Sequence, residues 1–235
     1  MALITDKKNF NIGLLLGISF LIVLGCIVSP LFNGQTGLEY ADSLFNSLSK
    51  GSTYFIPDLA KQSETYDGQV LEVTLKAKTP EETEKYATLF SAAGAEVEIT
   101  DNSFSVTGDL GGIIQSALAD ADVVFHEQPL TEKYGYDTKE AMYYWWNSFK
   151  QIDKELIHQG KFIESSFVKN IITKGLEPAY NFFGMEPLKV AERTGLVTFL
   201  FIFYIIYTVW WGFAIYFLFE GIGITMSASK EKKEA

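Results

Sequence analysis

The chain has one cysteine in 235 residues. A lone thiol excludes a disulfide framework and any zinc, haem c or iron–sulfur site built from several cysteines. Two histidines argue against a His-rich metal centre. Positive charge is also scarce, with 19 Lys and Arg against 29 Asp and Glu and a formal net charge of −10. Nucleic-acid phosphates attract Lys and Arg, so nucleic acid is not an expected partner. No Asn-x-Ser/Thr acceptor occurs anywhere, which fits a prokaryotic exterior face. Aromatic residues are plentiful: 19 Phe, 12 Tyr and 4 Trp. A disordered chain would be poor in them.

Two stretches lack charge altogether. Residues 10–32, FNIGLLLGISFLIVLGCIVSPLF, form one; an uncharged run from Leu196 to Phe219 forms the core of the second, taken as 195–219. A membrane helix needs roughly 20 such residues, and a helix apolar all round at this length suits lipid better than a small soluble core. Both stretches are expected to be transmembrane. Lys and Arg favour the cytoplasmic side. Lys7 and Lys8 precede the first run, Lys230, Lys232 and Lys233 follow the second, and residues 33–49 hold neither residue type. The expected topology is a two-pass protein of the inner (cytoplasmic) membrane with both termini cytoplasmic and residues 33–195 extracytoplasmic. Lys189 and Arg193, just ahead of the second run, oppose this. An alternative for the N-terminus is a lipoprotein signal ending in Val23-Leu24-Gly25-Cys26. Against it, Ile27, Val28, Leu31 and Phe32 continue the apolar run past the cysteine, where lipoproteins turn polar.

Charge divides the external region. Residues 33–136 hold 17 acidic and 6 basic residues, whereas residues 137–195 hold 8 of each. Within the acidic half, Leu71, Val73 and Leu75 alternate with polar residues, as in a half-buried strand. Thr79-Pro80-Glu81-Glu82 opens a helix with a capping box, and Gly94 closes it. Residues 95–100 and 103–107 alternate around a two-residue turn, Asp101-Asn102. Asp109 caps a second helix, and Val123, Val124 and Phe125 are expected as a fourth strand. The order β-α-β-β-α-β over residues 69–128 predicts a ferredoxin-like α+β module. Residues 33–68 are read as a short amphipathic helix, 38–50, plus a connector broken by Pro57. Residues 129–194 are read as a helical stalk with a seam of Trp145, Phe149, Ile152 and Leu156, interrupted at Gly160 and stopped by Lys174-Gly175. Residues 1–9 and 220–235 are the cytoplasmic ends.

No catalytic constellation emerges. His126 and Glu127, read as neighbours on a strand, point to opposite faces, and His158 sits late in a helix, where a cation suits the dipole. Gly108-Asp109-Leu110-Gly111-Gly112 has neither Walker A nor GxGxxG spacing, and reads as close helix–sheet packing. Glu81, Glu82 and Glu84 read as a capped helix start; Glu96, Glu98 and Asp101 read as a solvated face. Glu220, at the end of the second run, reads as interfacial. The membrane runs are more informative. Gly13 and Gly17 form GxxxG, with Gly25 two turns on, and small residues let helices approach closely. Phe199 to Phe219 holds eleven aromatics. Tyr204, Tyr207, Thr208, Trp210 and Trp211 fall well inside the run, where an N–H or O–H needs a partner. These residues are the expected partner-binding surface. The expected function is a non-catalytic accessory subunit of a prokaryotic membrane complex. It would use no cofactor, would dock on other integral membrane subunits within the lipid bilayer, and would display an acidic domain to an extracytoplasmic protein. The alternative is a membrane-anchored small-ligand sensor.

Overall fold

The computed structural model describes residues 4–224; Lys230, Lys232 and Lys233 lie outside the described residues. In chain order the elements are α1 (Lys7–Val28), α2 (Gly37–Lys50), α3 (Ile56–Ser63), β1 (Val70–Lys76), α4 (Pro80–Ala92), β2 (Glu96–Thr100), β3 (Ser103–Asp109) and α5 (Leu110–Phe125). They continue with α6 (Thr131–Tyr134), α7 (Thr138–His158), α8 (Phe162–Ile171), α9 (Glu177–Asn181) and α10 (Val190–Gly221). The chain forms two compact units. One combines the chain up to Phe45 with the chain from Lys189 onward; the other is Asn46–Leu188.

The first unit contains two helices, α1 and α10, long and apolar enough to cross a membrane. Asp6 starts α1 by accepting hydrogen bonds from the backbone N–H of Lys8 (2.9 Å) and Asn9 (3.1 Å). The helix ends at Val28, earlier than the apolar run, because Ser29 precedes Pro30 and a residue before proline avoids the helical region. α10 starts ahead of its apolar run, with a kink at Arg193 (φ −122°).

The second unit is mixed α and β. Its sheet is antiparallel with order β1-β3-β2. Leu71, Val73 and Leu75 are buried on one face, as their alternation requires, together with Phe104 and Val106 of β3. The β2–β3 turn sits at Asp101, whose φ is +48°. Thr79 caps α4 by accepting from Glu82 N, and Asp109 caps α5 by accepting from Gly112 N. The capping box differs in one detail: the Glu82 carboxylate reaches back to Lys78 N (2.8 Å), one residue ahead of the cap.

Three expectations are corrected. The fourth strand does not form, so the four-stranded ferredoxin-like sheet is not completed. Val123–Phe125 instead make the last turn of α5. Ile113, Ile114, Ala117, Leu118, Ala121, Val124 and Phe125 are all buried at helical spacing, and this continuous face outweighs the β-propensity of two adjacent valines. Pro57 does not break a connector; it occupies the first turn of α3, where it lacks only an N–H that would have no helical partner. Lys174-Gly175 does not stop a helix either. The chain runs through a π-helical turn, Ile172–Leu176, into α9. A Cβ on Gly175 would stand 2.8 Å from the Leu118 side chain, so this glycine serves close packing of the π turn on α5.

One hydrophobic core extends from Ile56 to Ala179 and joins the α/β elements to the later helices. Trp145, Phe149, Ile152 and Leu156, the seam of α7, are fully buried in it. α7 also covers an edge of the sheet. The Gln151 amide accepts from Lys76 N (2.8 Å) and donates to Lys76 O (3.0 Å), and Gln159 donates to Glu72 O (2.8 Å). Side-chain amides thus satisfy part of the outer edge of β1, which would otherwise offer itself to a further strand.

Lys50 closes this unit. Its side chain is fully buried, and its ammonium donates to Glu127 Oε1, to Phe182 O (3.2 Å) and to Met185 O (2.7 Å). Three donors meet three acceptors. Glu127, held in the left-handed region at φ +62°, uses its other oxygen to accept from Gly184 N (2.7 Å). Leu188 N donates to Ser47 O (2.9 Å), so the first and last segments of the unit lie side by side. Lys50→Met keeps the aliphatic stem but strands one carboxylate and two carbonyls. It should cost about 3 kcal/mol of stability, measured by urea unfolding of the full-length protein in detergent with tryptophan fluorescence. A loss below about 1 kcal/mol, typical of an exposed pair, would refute this role.

Candidate functional site

The apolar helices meet through small residues and polar tips. A Cβ on Gly13 would lie 2.5 Å from Leu218 N, and one on Gly221 would lie 2.6 Å from Phe10 Cα. These two glycines allow α1 and α10 to touch backbone to backbone. Gly17 and Gly25 have nothing within 4 Å of such a Cβ. The GxxxG pair is therefore split, with Gly13 used inside the chain and Gly17 left open. Gly221 was not singled out from sequence; its signal was a small residue at the far end of an apolar run, opposite Phe10.

The polar aromatic residues divide in the same way. Trp210 Nε1 donates to Leu16 O (3.2 Å) and Tyr207 OH to Phe20 O (3.5 Å), both on α1. The Tyr207 ring stacks on Phe20 at 4.1 Å. These partners lie within the chain itself. Thr208 Oγ1 donates back to Tyr204 O (2.8 Å) along its own helix. Tyr204 and Trp211 differ. Tyr204 is 68% exposed and Trp211 40% exposed. Among the described residues, neither the Tyr204 hydroxyl nor the Trp211 N–H has a hydrogen-bond partner. Trp211 contacts Phe20 only through its ring, at 4.6 Å. On a different face of α10, Leu16, Ile205, Ile206, Val209, Trp210, Phe213 and Phe217 line an apolar hollow of about 770 Å³. Glu220 is tied down: it accepts from Tyr216 OH (2.9 Å) and Asn9 Nδ2 (3.3 Å). Cys26 is exposed on α1.

In the second unit, the sheet register aligns Glu72 with Thr107 and Glu96, and Thr74 with Ser105 and Glu98. These residues line an open concavity of about 850 Å³ with Glu155, Gln159 and Lys161. Among the described residues, no group of three His, Cys, Asp or Glu is placed to hold a metal. His126 caps the end of α5 rather than lying on a strand. Its Nδ1 is 2.9 Å from Asp122 O, and it is separated in role from Glu127, which pairs with Lys50. His158 is exposed, 3.7 Å from Glu155. Gly108 packs closely on Ala95, where a Cβ would stand 3.0 Å from the Ala95 methyl, and Gly111 lies against Asp67, where a Cβ would stand 2.7 Å from its backbone nitrogen.

Sequence reading missed two polar clusters. Asp120, 2% exposed, accepts from Lys133 (2.6 Å), Tyr134 OH (2.5 Å) and Trp145 Nε1 (2.8 Å). Nearby, Glu140 accepts from Lys85 (2.7 Å) and Tyr144 OH (2.6 Å). The Lys85 hydrogen bond, then the Tyr144 one, hold the Glu140 carboxyl below its ordinary value of 4.5. Lys85 is held above its ordinary value by the same bond. Burial pushes Tyr86 up to about 12, and burial followed by the Asp122 hydrogen bond does the same for Tyr54. These groups serve cohesion: both oxygens of Asp120 and Oε1 of Glu140 accept from neighbouring elements, and neither carboxylate faces a second one across a cleft.

Gly13→Val should force α1 and α10 apart and cost about 2 kcal/mol, while Gly17→Val should stay within about 0.5 kcal/mol. Thermal unfolding in detergent separates the two, and equal effects would contradict the split. Because the folded pKa of Glu140 is depressed, its contribution is present above pH 4.5 and fades as pH falls through the lower folded value. The stability gap between wild type and Glu140→Gln should therefore be widest near neutrality and shrink on acidification below pH 4.5, by urea unfolding. A gap constant with pH would exclude the ionised pair as its source.

No family model matches the chain, and no curated protein or solved structure matches it either.

Proposed function

We propose that the chain is a two-pass membrane protein that serves as a non-catalytic accessory subunit of a larger prokaryotic membrane complex. In this reading α1 and α10 cross the inner membrane with both termini cytoplasmic. The acidic α/β unit is displayed on the outer side to a protein partner. The sheet order β1-β3-β2 with α4 and α5 supports an incomplete ferredoxin-like unit, in which α7 side chains take the place of the fourth strand along β1.

The observation that carries the reading is the stripe of Tyr204 and Trp211. Spacing of seven residues puts both on one face of α10. In lipid, an unpaired hydroxyl or indole N–H well inside a span costs free energy that a neighbouring helix removes by supplying an acceptor. Of the other polar aromatics on α10, Tyr207 and Trp210 have acceptors on α1 and Tyr216 donates to Glu220 of its own helix; among the described residues, these two are left for another subunit. Leu15 at 70%, Ile22 at 63% and Ile205 at 60% exposure show how little apolar surface the two helices cover in each other.

Gentle detergent extraction, size-exclusion chromatography and mass spectrometry should recover the chain with co-purifying membrane subunits. The double variant Tyr204→Phe, Trp211→Phe should reduce their recovery several-fold while leaving the melting temperature unchanged. A lone wild-type monomer would sink the proposal.

A further inference from the structure

The second unit contains a small hollow distinct from every cluster described above. It measures about 290 Å³ and is lined by Tyr143, Trp146, Glu177, Tyr180 and Asn181. That places it near the lower end of the size range of small-ligand pockets, about 300 Å³. Three of its five lining residues are aromatic, one is a carboxylate, and none is a cation.

Two helices build it. Tyr143 and Trp146 are three residues apart on α7, so they share a face, with ring centroids 6.0 Å apart and planes inclined by 41°. Glu177, Tyr180 and Asn181 follow the same rule on α9. The π turn Ile172–Leu176 sets the phase of α9 by inserting an extra residue just ahead of Glu177. Such insertions re-aim side chains and recur at functional positions. Here the result is that Glu177 Oε1 accepts from Trp146 Nε1 at 3.0 Å, which fixes the indole and the carboxylate against each other. Glu177 Oε2 has no hydrogen-bond or ion-pair partner among the described residues. The cations nearby lie against the rings: Lys150 Nζ is 4.1 Å from the Trp146 centroid, and Lys78 Nζ is 5.7 Å from that of Tyr143 and donates to its hydroxyl (3.4 Å). The aromatic surface thus already attracts positive charge, while the carboxylate within the hollow is unneutralised.

We propose that this hollow binds a quaternary ammonium group, of the choline type. Aromatic faces attract a cation through the ring quadrupole, and a quaternary ammonium suits them because its charge is spread over methyl groups. A primary ammonium brings three N–H donors that need acceptors, and a hard metal ion needs six or more oxygens; Glu177, the Asn181 carboxamide and two tyrosine hydroxyls are too few oxygens for the metal, and a wall of three rings suits methyl groups better than N–H donors. A betaine-type ligand, with its own carboxylate close to the nitrogen, would be repelled by Glu177. The same head group occurs on soluble choline and on choline lipids, and the hollow recognises their shared chemistry. The inference does not depend on the helices having a membrane partner.

The test uses the full chain in a maltoside detergent, titrated with tetramethylammonium, choline and a short-chain phosphatidylcholine below its micelle concentration, with sodium at equal ionic strength as control. Binding should be saturable, with a dissociation constant below about 1 mM, and should change tryptophan fluorescence. Tyr180→Ala, at an exposed position, and Glu177→Gln, which keeps the acceptor for Trp146 but removes the charge, should each weaken it about tenfold without moving the melting temperature. Saturation by choline and the phospholipid alike identifies a head-group site open to lipid; saturation by choline alone identifies a soluble ligand. No saturation, a response matched by sodium, or undiminished binding in both variants would overturn the proposal.

Discussion

The buried carboxylate of Asp120 ties the second unit together. It sits on α5 and accepts from Lys133 beyond the end of that helix, from Tyr134 on α6 and from Trp145 in the middle of α7. A charge at 2% exposure is tolerated only when its oxygens are saturated. That demand holds the three helices in register. It also fixes Trp145 in the core, where the indole packs edge-on against Phe90 and Phe149 at 5.3 and 5.9 Å. The α/β elements and the later helices therefore share one interior, and a boundary drawn near residue 128 separates sequence composition rather than cores.

The same logic recurs at the other sites. Lys50 is buried because three acceptors surround its ammonium. Trp210 and Tyr207 sit inside an apolar run because α1 offers backbone carbonyls at Leu16 and Phe20. Where the described residues supply no partner, at Tyr204, Trp211 and one oxygen of Glu177, we propose that another molecule does. The functional proposals rest on these exceptions.

Local signals were legible where their physics is local. Asp6 lies outside the apolar run but caps α1; Thr79, Pro80 and Asp109 cap and start α4 and α5 at the positions their chemistry favours. The alternation at Leu71, Val73 and Leu75 placed β1. What failed was local evidence overruled from a distance. Val123-Val124-Phe125 has strand composition, yet Val124 and Phe125 complete a helical face whose partners lie elsewhere in the core. Gly175 resembles a stop, but its role is set by Leu118, 57 positions earlier. At the candidate interface, spacing identified Gly13, Gly17, Tyr204, Tyr207, Trp210 and Trp211 as one group. It could not sort them, because which side of α1 faces α10 is decided by Gly13 and Gly221 fitting against opposite backbones.

By itself, the sequence determined the class of the protein: two helices apolar enough for a membrane, an acidic α/β half and a neutral helical half. Hydrophobicity and charge act residue by residue and survive being read in one dimension. Only the tertiary structure decided which polar groups are spent on cohesion and which remain. The pairings Asp120–Trp145, Lys50–Glu127 and Trp146–Glu177 span 25, 77 and 31 positions. Hydrogen bonds across such separations depend on distance in space, which no periodicity along the chain records.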